Sequence, residues 1–261
     1  MNSDWRRTRL GPEGPEVTRI GLGSSYGLGG RDVERAFEEY GVNYFYWGTW
    51  RRPDFGRGVA RLAQRERDGM VVVIQTYTRI AGMMRRSLER ALRQLGIERT
   101  DYLLLGWWNQ APPERILDAA RELQEAGLAR HLMISCHHRP QFRDYLAHPD
   151  LAAMMVRYNA AHPGASEDVF PHVPGSGKAV VSYTNTCWGK LLEQACWPAE
   201  EPGPTAADCY RFALTRPEVD LALCGPKNGR ELDEAMLALE RGPMDIDELS
   251  WMRRVGRAVA R

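Results

Sequence analysis

The sequence predicts an α/β protein built as a (β/α)8 TIM barrel, on three observations. Eight short apolar runs recur along the 261 residues, and helical patterns separate most of them. Several runs, such as VVVIQ and YLLLG, also lack polar alternation, as strands of a parallel sheet covered on both faces do. Eight strand–helix units match the roughly 250 residues of a closed barrel. A doubly wound open sheet is the rival architecture.

The first candidate strand, residues 17–23, runs into the glycine string GLGSSYGLGG. That string contains a G-x-G, but its third glycine is misplaced for a dinucleotide-binding turn, so it reads as the tight turn after strand one. RDVERAFEEY, with apolar residues at three and four spacing, leads to the second strand at 43–47. The third, 71–77, precedes the helical MMRRSLERALRQL. The fourth, 102–108, precedes PPERILDAARELQEAG, which opens on proline and stops at Gly127. The remaining strands fall at 130–135, 154–159, 179–184 and 221–225, and a short helix is expected near 245–259. Residues 188–204, rich in proline and acid near their end, read as an excursion over the barrel mouth. No linker, low-complexity tract or further repeat interrupts the alternation, so residues 1–261 read as one barrel domain.

Charge and composition narrow the function classes. With 35 basic and 34 acidic side chains the formal net charge is +1, which argues against a nucleic-acid or anionic-membrane partner. Hydrophobic residues at 43% and charged residues at 26% suit an ordered globular chain, long enough to bury roughly 70% of its unfolded surface. No apolar run approaches the roughly 18 residues of a membrane span, and MNSDWRRTRLGPEG lacks a signal-peptide apolar stretch, so a cytoplasmic protein is expected. Five cysteines without a C-x-x-C pair suggest buried thiols rather than a disulfide framework or zinc knuckle.

From RRTRLGPEGPEVTRIGLGSS through GVNYFYWGTW, SLERALRQLGIERTDYLLL, LQEAGLARHLMIS, VRYNAAHP and VVSYT to CGPKNGRELDEAM, the chain resembles the aldo/keto reductase superfamily over nearly its full length. The order and spacing of the blocks carry the resemblance. It implies an aldo/keto reductase-like barrel that binds NADPH at the carboxyl ends of its strands.

The family's chemistry uses an aspartate, a tyrosine, a lysine and a histidine. By the resemblance these positions fall on Tyr46, Arg51, Tyr77 and Asn109. The usual arrangement lowers a tyrosine pKa with a neighbouring cation, so that the phenol donates a proton as hydride reaches the carbonyl carbon. This chain lacks that tetrad and reads as a divergent member, expected to reduce simple aldehydes poorly. Ser135 falls on the family serine near the nicotinamide amide and Tyr183 on its stacking tyrosine, while the asparagine and glutamine of that site fall on Cys136 and Met155. Gly225 and the helix opening near Gly229 could hold phosphate, with Lys227 and Arg230 as cationic contacts. Against this, the usual arginine and asparagine of that helix fall on Glu231 and Ala235. The implied cofactor is NADP or NAD, bound weakly but measurably.

Other residues are read from their own chemistry. Tyr46, Tyr77 and His137 are candidate replacement acids, and Asn109 is a further candidate at the end of strand four; for the two tyrosines, filling the space of the missing aspartate and lysine is an equal alternative. Trp47, Trp50, Trp107 and Trp108 would make an aromatic mouth. Arg51, Arg52 and Arg57 could clamp a carboxylate or phosphate, or be a solvated loop. Arg157 carries charge within an apolar run and must find a partner or face the pocket. Cys136, His137 and His138, with His162, have ligand chemistry, but neighbours on an extended segment point apart; His138 is read as a substrate contact and no metal is expected. The leading expectation is an NAD(P)H-linked oxidoreductase acting on a carbonyl or activated alkene of a small molecule. The alternatives are a small-molecule-binding pseudoenzyme and a non-redox isomerase or lyase. Oligomeric state is left open.

Overall fold

The computed structural model describes residues 5–12, 14–48, 51–76, 78–197 and 201–260. Strands β1 (Arg7–Arg9) and β2 (Glu16–Thr18) form an antiparallel hairpin. The barrel follows as β3 (Ile20–Gly23), β4 (Tyr44–Trp47), β5 (Val71–Gln75), β6 (Thr100–Trp107), β7 (Ala129–Cys136), β8 (Leu151–Arg157), β9 (Ala179–Tyr183) and β10 (Leu221–Cys224). All eight are parallel, and β10 closes the ring by pairing with both β9 and β3. The open-sheet alternative is thereby excluded.

The expected first strand, 17–23, divides in two. Val17 belongs to the hairpin, and the Arg19 guanidinium donates to the carbonyls of Leu214 and Val219, turning the chain between β2 and β3. The hairpin plugs the amino-terminal end of the barrel with Leu10 and Val17, both buried. Asn43 ties it down: its amide donates to the Glu16 and Gly69 carbonyls and its oxygen accepts from Thr18 N–H.

Strand pleat sorts the core into two layers, because alternate side chains face opposite sides. Tyr44, Val71, Val73, Tyr102, Leu104 and Met133 fill the barrel, while Phe45, Val72, Leu103, Leu132 and Ile134 meet the helices outside. Gly21 makes the large tyrosines possible, since a Cβ there would stand 2.5 Å from Tyr44 Cδ1.

The outer ring comprises α1 (Gly30–Tyr40), α2 (Pro53–Glu66), α3 (Ala81–Leu95), α4 (Glu114–Glu125), α5 (Phe142–Ala147), α6 (Ala165–Asp168), α7 (Ala206–Leu214) and α8 (Gly229–Arg241). Helix α9 (Ile246–Val259) is the expected terminal helix, opened by a capping box of Asp245 and Glu248. Arg211 of α7 fastens it, donating to Glu248 at 2.6 and 2.7 Å and to the Gly242 carbonyl at 2.9 Å. The five cysteines are free, four of them buried. Among the described residues no helix is long and apolar enough to cross a membrane.

Candidate functional site

Active sites of closed βα barrels form at the carboxyl ends of the strands, where loops and strand termini converge. Here that end holds a cavity of about 380 Å³. Strand parity decides which residues reach it. Inward positions on successive strands bring Gly23, Tyr46, Gln75, Ser135, Met155 and Tyr183 to its wall. On β6 the register shifts between Leu104 and Trp107, and Gly106 adopts φ +88, so Trp107 joins the wall and Trp108 turns outward.

The floor is a tyrosine–glutamine pair: the Tyr46 hydroxyl donates to Gln75 Oε1. Across the cavity, Ser135 Oγ donates to the Gly106 carbonyl at 3.0 Å. His137 stacks on Trp107 at 4.9 Å with 22° between planes. Its Nδ1 lies 3.0 Å from Arg157 Nη2. A guanidinium only donates, so Nδ1 accepts and the proton of the neutral ring sits on Nε2. Burial, then the charge of Arg157, lowers the His137 pKa and favours that neutral form. The Tyr183 phenol is pushed up by burial, with the charge of Arg157 and its guanidinium beside the hydroxyl acting in the opposite sense.

Tyr46, Ser135, His137, Tyr183, Gly225 and Lys227 therefore share one cavity. Arg157 stands at its edge through His137 and Tyr183, its register partner on β9. Asn109 does not line it. Its Oδ1 accepts from the backbone N–H of His137 at 2.9 Å and of His138 at 3.2 Å, and from Trp107 Nε1 at 3.0 Å, which clamps the start of the loop after β7. Trp47 and Trp108 lie in the layer between strands and helices, donating to the Arg52 and Leu105 carbonyls, Trp47 by its outward parity and Trp108 because the irregularity at Gly106 turns it. His138 is exposed, its carbonyl accepting from Cys136 Sγ.

The cationic loop is largely engaged with protein. Arg52 donates to the Ser25 carbonyl and Arg57 pairs with Asp54 at 3.0 Å, while Arg51 is exposed. Tyr77 and Trp50 lie outside the described residues. His162 Nδ1 sits 3.3 Å from Asn159 Oδ1 and 3.6 Å from Cys187 Sγ. Among the described residues no three His, Cys, Asp or Glu side chains converge as metal ligands. Near β10, Asn228 caps α8 by accepting from Glu231 N–H, and Glu231 Oε2 accepts from Lys227 N–H at 2.9 Å. The Glu231 carboxylate thus occupies one of the amides that an anion would seek. Arg230 is exposed and outside the cavity lining.

Several wall residues escaped the sequence reading. Gln75 shares parity with Val71 and Val73, a signal overshadowed by Tyr77. Tyr26 lies at the mouth, where Gly225 makes room: a Cβ there would stand 2.6 Å from Tyr26 Cδ2. Thr184, Asn185, Thr186, Trp188 and Gly189 form a rim after β9. This rim is strained, with positive φ at Thr184, Cys187 and Trp188, none of them glycine. Asn159 pins it by donating to the Thr184 carbonyl at 2.7 Å. Asn185 donates to Ser182 Oγ, but its Oδ1 is buried without a partner.

A family model described as "Aldo/keto reductase family" matches residues 55–196. An aldo-keto reductase from Bacillus halodurans in its holo form superposes with a TM-score of 0.81 at 17% identity, over 96% of this chain and 96% of that one. An aldo-keto reductase from Klebsiella pneumoniae in complex with NADPH superposes with a TM-score of 0.78 at 19% identity, over 97% of this chain and 95% of that one. At these identities the two likenesses concern the fold.

Proposed function

Because this chain belongs to the aldo/keto reductase family, we propose that it is an NAD(P)H-linked oxidoreductase reducing a carbonyl or activated alkene of a small molecule, with Tyr46 as proton donor. The observation that carries this reading is the cavity wall, which brings the Tyr46 and Ser135 hydroxyls, the Tyr183 ring and Lys227 around one space of about 380 Å³ at the carboxyl ends of the strands. A wall of apolar rings with a few polar groups suits a small ligand with its own donors and acceptors. The Klebsiella pneumoniae protein of the same fold is in complex with NADPH, which supports the nicotinamide cofactor as that ligand.

The residues present fit the nicotinamide half of such a cofactor. Tyr183 offers a ring face and Ser135 a hydroxyl, both on the cavity wall. The phosphate half has Lys227 at the cavity and Arg230 nearby in sequence, opposed by Glu231 on the Lys227 amide. Weak, measurable binding follows. When bound, the reduced nicotinamide supplies hydride. Tyr46 then gives its hydroxyl proton to the oxygen left by hydride addition and regains a proton from water. Gln75 holds the phenol in place through an accepting oxygen, which must give up the proton before transfer and offers a phenolate no donor, where a cation would stabilise it. Slow turnover of simple aldehydes is the consequence.

Calorimetry with NADPH and NADH, together with turnover by Tyr46→Phe, tests the reading. The variant should bind cofactor as the wild type does and lose about 10²- to 10⁴-fold in rate. Unchanged turnover removes Tyr46 from the proton step, and no heat with either nucleotide at millimolar concentration removes the redox reading. A barrel that binds small molecules without redox chemistry is the second reading, favoured by one observation: the Glu231 carboxylate already satisfies the Lys227 amide beside the cavity.

A further inference from the structure

Arg157 is a cation beside the cavity that proton and hydride transfer leave unused. It ends β8 two residues after Met155, a wall residue, and so shares the inner side of the strand. The guanidinium is held by the hydrogen bond to His137 Nδ1 at 3.0 Å, by the Trp188 ring, whose centroid is 5.4 Å away, and by the neutral Tyr183 phenol on the adjacent strand. Among the described residues no carboxylate forms an ion pair with it, whereas neighbouring Arg139 is neutralised by Asp168 at 2.6 Å. His137 also lines a cleft of about 70 Å³ shared with Arg157, Arg139 and His162, and among the described residues no acidic side chain lines it.

An arginine fixed in orientation without a counter-charge is a preorganised anion receptor, since its planar donors match a carboxylate in two-pronged geometry. His137 adds a second donor. Its Nδ1 is occupied by Arg157, so the neutral ring presents Nε2–H, with the ring lying along Trp107. A cleft this small admits a group of a few atoms. The 380 Å³ cavity beside it leaves room for the rest of a small molecule.

We propose that Arg157 and His137 form a subsite for a carboxylate carried by the substrate, so that the substrate class is an oxo acid. This rests on the reductase reading for the fate of the carbonyl, but the subsite itself is testable without turnover. His137 borders both spaces, and Met155 and Trp107 give the cavity side an apolar wall for the carbon skeleton.

The test compares 4-formylbenzoate with its neutral isostere 4-formylbenzamide, on the wild type, Arg157→Gln and Arg157→Lys. Binding is read first by tryptophan fluorescence without cofactor, since Trp107 and Trp188 both border the site. The wild type should favour the acid by about 10- to 100-fold, as expected for hydrogen bonds to a charged group. Arg157→Gln should erase the preference while leaving amide binding within about two-fold, and Arg157→Lys should restore part of it, since lysine keeps the charge without the fork. Equal binding of acid and amide by the wild type overturns the proposal, as does a preference that survives in Arg157→Gln. Calorimetry with NADPH separates the remaining source of anionic oxygens: unchanged NADPH affinity in Arg157→Gln supports a substrate subsite, and a ten-fold or larger loss assigns Arg157 to the cofactor and overturns it. If neither compound is turned over yet the acid preference depends on Arg157, the subsite stands and the reductase reading alone fails.

Discussion

Asn109→Ala separates a positioning role from a chemical one. In the folded protein Asn109 Oδ1 receives three N–H donors, from His137, His138 and the Trp107 indole, at 2.9, 3.2 and 3.0 Å. Alanine removes all three at once, together with the weaker contact from Cys136 Sγ at 3.7 Å. Each neutral hydrogen bond contributes about 0.5–1.5 kcal/mol net, and water can reach this exposed loop, so the low end applies and the loss comes to about 1.5 kcal/mol. The loosened loop carries His137, whose ring is part of the cavity wall, so substrate affinity falls with stability. Asn109→Asp is the informative partner, because it retains the accepting oxygen and changes only the amide end. Urea unfolding followed by fluorescence should place the aspartate variant within about 0.5 kcal/mol of wild type and the alanine variant about 1.5 kcal/mol below it. An alanine variant as stable as wild type, or an aspartate variant as impaired in turnover as alanine, would refute the reasoning.

Two further outcomes follow from groups away from the cavity. Arg211→Met strands the Glu248 carboxylate and the Gly242 carbonyl and should cost about 3 kcal/mol in urea unfolding, since removing one member of a buried ionic cluster leaves its partners uncompensated; a loss under about 1 kcal/mol would deny that α9 is fastened this way. For Asp220, burial raises the carboxyl pKa to about 6, against a hydrogen bond from Val180 N–H and the charge of Arg19. The folded protein therefore holds this proton more tightly than the unfolded chain, and its contribution to stability falls as pH rises from about 4 to about 6. Asp220→Asn should remove that slope, so melting temperatures of variant and wild type should diverge across the window; a constant difference at every pH contradicts the assignment.

The barrel was legible because short strands apolar on both faces alternate eight times with helical patterns, which an open surface strand would not produce. The hairpin was not. Arg7–Arg9 and Glu16–Thr18 are three residues each and mostly polar, and their pairing depends on Asn43 reaching back across the barrel end. Tyr46 and His137 were readable because they end or follow a strand at the carboxyl end of the barrel, and Ser135 and Tyr183 through the resemblance to the family, while parity along strands apolar on both faces reveals nothing until the barrel is closed. Even then parity fails at β6, where the irregularity at Gly106 exchanges the sides of Trp107 and Trp108. Asn109 ends a strand as a catalytic group would, but it serves backbone N–H groups 28 and 29 residues further along the chain, and no spacing rule announces that.

The strain of the cavity rim bears on the choice between reductase and binder. Positive φ at Thr184, Cys187 and Trp188 costs of order 1–3 kcal/mol each, offset in part by the burial of Cys187 and Leu191 in the core. The strained path presents Thr184, Thr186 and Trp188 to the cavity and sets the Asn185 amide on Ser182 with its oxygen unpartnered. Asn185 holds this rim against β9 through Ser182, so affinity should depend on Asn185 even where Lys227 and Glu231 oppose each other at the phosphate end. Both readings therefore require a polar ligand in this wall, and they part only at Tyr46: a binder needs its ring as floor, whereas a reductase needs its hydroxyl proton. Phenylalanine at position 46 preserves the first and abolishes the second, which makes that oxygen the one place where the chemistry of the barrel is decided.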